Sequence, residues 1–164
     1  MASFITAGYS SGFQVYAKVQ AQNSVGWSTE SPESTDTIYV QVVPQAVENF
    51  AASNVDKNTI GLSWTSITDT AKLGYASLIE YEVYWDSGVD SNSMTYKEST
   101  TSNSISIGSL TSGTTYKFQV GAKNIQGVGD LGTTLSKKAM GIPDNMVAPT
   151  VSQHGTKVRI TLTQ

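Results

Sequence analysis

The chain has 164 residues, no cysteine, one histidine and 14% charged side chains, so disulfide scaffolds, thiolate metal sites and cysteine nucleophiles are excluded. A net charge of −3 and a pI near 5.0 supply no basic field for phosphates, and nucleic acid is not expected as a partner. No apolar run approaches the ~20 residues that span a bilayer, the opening MASFITAGYS lacks the basic start and apolar centre of a signal peptide, and membrane insertion is not expected; 38% hydrophobic residues nonetheless suffice for a folded core.

Short runs of alternating apolar and polar residues follow one another along the chain, separated by Gly, Ser, Asn and Asp. This period of two is the mark of half-buried antiparallel strands. In the first 43 residues Val15, Ala17, Val19 and Ala21 alternate, with Ile38, Val40 and Val42 as their partners, and Pro44 closes the stretch. Ile60, Leu62 and Trp64 form the next run; 65–76 reads as a long loop with room for one helical turn. Ile79, Tyr81, Val83 and Trp85 follow, then Tyr116, Phe118, Val120 and Ala122. Residues 133–138 read as a further strand ahead of another linker proline, Pro143. Val158, Ile160 and Leu162 make the last alternating run. No stretch repeats at 3.6-residue spacing behind a capping residue, so no substantial helix is expected.

The chain also repeats itself. Residues 11–23, SGFQVYAKVQAQN, lie without a gap on residues 112–124, SGTTYKFQVGAKN, and Gly26 falls on Gly127. Val158, Ile160 and Leu162 fall on Ile60, Leu62 and Trp64. One unit of about 100 residues therefore recurs, the size of a single β-sandwich.

Trp64 at the end of its strand, the Tyr81-Glu82-Val83-Tyr84-Trp85 strand, Leu110, Tyr116, and Ala122-Lys123-Asn124 running to Gly127 together resemble the fibronectin type III domain. The resemblance implies an all-β, immunoglobulin-like sandwich in tandem: residues 1–43 a partial unit (strands E, F and G), 44–142 a complete one, and 143–164 a linker and partial unit (strands A and B). It implies that Trp64 is a central core side chain and that Tyr116 packs its ring inward and bonds its hydroxyl to nearby backbone. In the flanking units Val15 stands in the place of that tyrosine and Leu162 in that of the tryptophan.

A three-stranded piece leaves one apolar face uncovered. Val15, Ala17, Val19 and Ala21 on one flank, and Val158, Ile160 and Leu162 on the other, are accordingly the expected self-assembly surface. They are covered either by continuing chain or by strands of another copy, joined head to tail.

The remaining motifs point away from chemistry. Gly127-Val128-Gly129-Asp130-Leu131-Gly132 spells the dinucleotide string G-x-G-x-x-G, but the residues after it read as a strand, whereas pyrophosphate needs a helix N-terminus there. His154, the sole histidine, precedes Gly155 in a polar turn and is expected to be solvated. Asp86, Asp90 and Asn92 can aim oxygens at one calcium ion, yet they lack EF-hand spacing and read as hydrated loop acids. Tyr84 and Tyr96 are expected on an outward sheet face, where tyrosines pack across strands or touch a partner. With Trp27 they are the candidate partner-contact residues.

No catalytic residue, cofactor or metal is expected. The reading is a structural repeat unit of an extracellular or cell-surface fibre, self-associating or bound to other extracellular proteins. The alternative is an adhesion module binding through the loops after strands B, C and F. No Asn-x-Ser/Thr or Arg-Gly-Asp occurs; the Ser/Thr-dense stretch 98–106 is a candidate acceptor of O-linked glycan.

Overall fold

The computed structural model describes residues 12–36, 38–90, 92–141 and 148–161, and among these there is no helix. The described residues form twelve strands in chain order: β1 (Gln14–Val15), β2 (Ile38–Tyr39), β3 (Glu48–Val55), β4 (Ile60–Thr65), β5 (Glu80–Trp85), β6 (Thr95–Thr100), β7 (Ser104–Ile107), β8 (Thr115–Asn124), β9 (Gly127–Val128), β10 (Leu135–Lys138), β11 (Thr150–His154) and β12 (Lys157–Thr161).

The central sandwich arises because β4, β5 and β8 each turn alternate side chains to one side. Sheet β3-β4-β7 faces sheet β10-β8-β5-β6, and β9 pairs antiparallel with the end of β8. Ile60, Leu62 and Trp64 from one sheet meet Tyr81, Val83, Tyr116, Phe118, Val120 and Ala122 from the other in one buried cluster. Trp64 sits at its heart, edge-on to Tyr81 at 5.2 Å and to Phe50 at 6.3 Å between ring centres. The Tyr81 hydroxyl, carried into the same core, accepts the Ile67 N–H at 3.1 Å. At the far end the Tyr116 hydroxyl accepts the Thr111 N–H at 2.9 Å, the tyrosine-corner bond. Trp85 stacks flat on Tyr116 at 5.7 Å, and the Lys97 ammonium covers the Trp85 ring at 4.3 Å.

Residues 65–76 form a loop holding one capped turn. Asp69 Oδ1 accepts the N–H groups of Ala71 and Lys72, and the Asp69 carbonyl accepts that of Leu73. Ile79 departs from the expected alternation: it precedes β5 and is exposed, because the strand is buried only from Tyr81 onward.

In the first unit β1 pairs with β2, and the hairpin continues past them in an unusual way. Ser28, Ser31 and Ser34 give their N–H groups to the carbonyls of Ala21, Val19 and Ala17. Their hydroxyls accept the N–H groups of the same three residues at 3.0 to 3.2 Å. One side of the ladder thus advances three residues for every two on the other. A repeat of three is that of polyproline II, and Pro32 lies in this stretch. The seryl oxygens supply the acceptors that an extended strand's carbonyls would have provided.

Beyond the sandwich, β11 and β12 form a hairpin whose ten residues are all exposed. His154 lies at the end of β11, before the Gly155 turn, and is solvated.

Candidate functional site

Three regions bear on function: the outer tyrosine face, the uncovered apolar rows, and the joint between the first and central units.

On the outer face of the β5-β6-β8 sheet, Glu80, Glu82 and Tyr84 point away from the core, as the alternation requires. Tyr84 packs edge-on against Tyr96 at 6.1 Å across the β5–β6 pair, so the two are a cross-strand packing pair. The Tyr84 hydroxyl donates to Glu82 at 2.6 Å, and that bond, helped by burial, pushes its pKa up to about 12. Lys123 bridges Glu82 at 2.7 Å and Glu80 at 3.0 Å, and these bonds raise its pKa. The Ser99 hydroxyl, donating at 2.7 Å, and Lys123 together hold the Glu80 carboxyl below its ordinary range. The charged groups of this face are paired with one another, and Tyr96 beside them is 55% exposed.

Of the two acids after β5, Asp86 departs from the expected hydrated loop acid and Asp90 is exposed. Asp86 is buried and caps its turn, its Oδ1 accepting the N–H groups of Gly88 and Lys117 at 2.8 and 3.1 Å. Asp90 pairs with Lys117 at 2.8 Å, which lowers its pKa. The Asp86 Oδ1 is thereby committed to the fold, while the Asp90 side chain stays 90% exposed in a surface ion pair; among the described residues no cluster of His, Cys, Asp or Glu is arranged to hold a metal ion.

The expected self-assembly residues lie in the open. Val15, Ala17, Val19 and Ala21 are exposed on the first hairpin, and Val158 and Ile160 on the β11–β12 hairpin. Leu162 lies outside the described residues. By position in the repeat, the first four match Tyr116, Phe118, Val120 and Ala122, and the other two match Ile60 and Leu62, all of them core residues of the central unit. Trp27, 64% exposed, stands at the hairpin turn opposite Gln22.

The joint is the most elaborate of the three, and its residues were not singled out as a site by the sequence. Residues 41–44 run between the β4–β5 loop and the β8–β9 turn. Val42 N–H donates to the Gly74 carbonyl at 2.9 Å and Gln45 N–H to that of Lys72 at 2.8 Å, so the linker pairs with the loop like a short strand. Asn124, almost fully buried, donates from its amide to Val42 O at 2.7 Å and to Leu73 O at 2.9 Å. Pro44 is fully buried. A Cβ on Gly74 would stand 2.1 Å from the Val42 oxygen, and one on Gly129 would stand 1.9 Å from that of Pro44. The middle glycine of the G-x-G-x-x-G string thus makes room for the protein's own linker, and β10, not a helix, follows the string.

A two-sheet antiparallel sandwich with an aromatic corner, preceded by a hairpin that repeats part of its sequence pattern, defines an immunoglobulin-like module. The family model for the fibronectin type III domain matches residues 45–138, more than half of the chain, and the chain belongs to that family. Human Myomesin-2 is 31% identical over 133 residues, covering 77% of this chain and 9% of that protein. The chain therefore spans less than a tenth of the curated relative it matches. A titin fragment of several domains superposes with a TM-score of 0.58 at 18% identity, covering 77% of this chain and 41% of that one. The kinase region of C. elegans twitchin gives 0.55 at 16%, over 71% and 20%. The chicken CNTN1 FN1-FN3 domains give 0.52 at 22%, over 79% and 43%. These structural likenesses establish the shared fold.

Proposed function

We propose that the chain is a non-catalytic spacer segment of a longer tandem-repeat fibre or filament protein, outside the cell or at its surface. The observation that carries this reading is the joint: one unit's last strand passes directly into a fitted groove between two loops of the next. In the finer form of the proposal, the row Val15, Ala17, Val19 and Ala21 and the row Val158, Ile160 and Leu162 are covered by complementary strands of neighbouring units, from the same polypeptide or another copy. Their correspondence to residues that bury one another in the central sandwich supports it.

The competing adhesion reading relies on the loops after β4, β5 and β8. The first and last of these are occupied by residues 41–44, which weighs against it. Trp27 remains its best contact residue.

Negative-stain microscopy of the native material and sedimentation of the chain over a range of concentrations test the proposal. An elongated, periodic particle is expected, with end-to-end association of the chain that Val19→Asp and Ile160→Asp each abolish. A compact monomer at every concentration, with no extended array in the native material, would overturn it.

A further inference from the structure

Tyr75 is, among the described residues, one of five non-glycine residues with positive φ, at 59°. A left-handed backbone is uncommon for a bulky side chain and persists where the surroundings hold it. Here its ring reaches out of the central unit and stacks on Tyr39 of the first hairpin, 5.0 Å away with 26° between planes. The same ring lies over Gly12, where a Cβ would come within 2.5 Å of its edge and hydroxyl. Gly12 N–H donates to the Val40 carbonyl at 3.1 Å, so the seat is part of the hairpin's own ladder. The central unit repeats that ladder, Gly113 N–H donating to Ala139 O at 2.7 Å, yet nothing stands within 4 Å of where a Gly113 Cβ would be. The glycine seat is thus a feature of the unit, and Tyr75 is what fills it at this joint. A further contact, Gln126 to Gln41 at 3.3 Å, lies on the opposite loop.

We infer that Tyr75 is the residue that fixes the orientation of the preceding unit: its ring, seated on Gly12 and Tyr39, turns a tethered pair of units into one rigid body. The linker bonds at Val42 and Gln45 hold the chain's path; the tyrosine ring blocks rotation about it. This inference concerns the two units of one chain and stands whether or not the array serves as a spacer.

The whole chain, with Tyr75→Gly and Tyr75→Phe, provides the test. Glycine adopts the left-handed backbone without strain, so the central unit of Tyr75→Gly is expected to melt no earlier than wild type. Amide nitrogen relaxation should show the hairpin amides of Val19, Ala21 and Ser31 tumbling with the central unit in wild type and Tyr75→Phe. In Tyr75→Gly they should lose that shared correlation time, as they should in Tyr39→Ala. Independent tumbling of the hairpin in wild type, or shared tumbling retained in Tyr75→Gly, would overturn the inference.

Discussion

At the scale of single residues, the central core concentrates its stability on a few aromatic side chains. Truncating Trp64 to Ala removes a ring that touches Tyr81 and Phe50 and leaves a cavity between the sheets, so a loss of about 3–5 kcal/mol is expected in chemical denaturation. Tyr116→Phe keeps the ring and deletes one acceptor, leaving the Thr111 N–H to find another; about 1 kcal/mol is the expected loss. Glu80 carries a pH dependence. Its carboxyl titrates lower in the folded chain than in the unfolded one, so its contribution is present above the ordinary carboxylate pKa and disappears as pH falls through the folded value. Thermal melts below about pH 5 should therefore decline less steeply in Glu80→Gln than in wild type.

At the scale of elements, legibility followed burial. β4, β5 and β8 were readable because each turns one apolar face to the core and carries mostly polar or small residues on the other, which writes a period of two into the sequence. β6, Thr-Tyr-Lys-Glu-Ser-Thr, left no such trace: it is an edge strand with little buried apolar surface. The stretch from Ser28 to Ser34 was illegible as a strand for another reason, since its three-residue period matches neither helix nor sheet. The joint stayed hidden because it brings together residues some eighty positions apart, Val42 and Asn124 among them. Its tight fit nevertheless gives a sharp expectation. Gly129→Ala drives a methyl group into the Pro44 carbonyl and must push the linker off the turn. A destabilisation above about 1 kcal/mol is expected, with faster hydrogen exchange at Val42 and Gln45. Ser31→Ala, by contrast, removes one exposed acceptor from the first hairpin, and its effect should stay local to the Val19 amide.

At the scale of the whole molecule, the two flanks are attached to the central unit in opposite ways. The first flank supplies Val42 as a partner for the buried amide of Asn124, a tyrosine to stack on Tyr75, and the approach to Pro44. Deleting residues 1–42 strips one hydrogen-bond acceptor from that buried amide, and a buried donor deprived of its partner costs about 1–3 kcal/mol. The other flank presents ten strand residues, every one exposed, and its hairpin closes its backbone bonds internally. Deleting residues 148–164 should accordingly shift the central unit's stability by no more than about 0.5 kcal/mol, the range of ordinary surface changes. Paired melts of the two truncations measure the asymmetry directly. For a unit of this size each kcal/mol moves the midpoint by about 4–8 °C, so the first deletion should lower it visibly and the second should not. Equal losses from both ends would mean that the central unit leans on its neighbours through general tethering and that the fitted groove at residues 41–44 contributes nothing of its own.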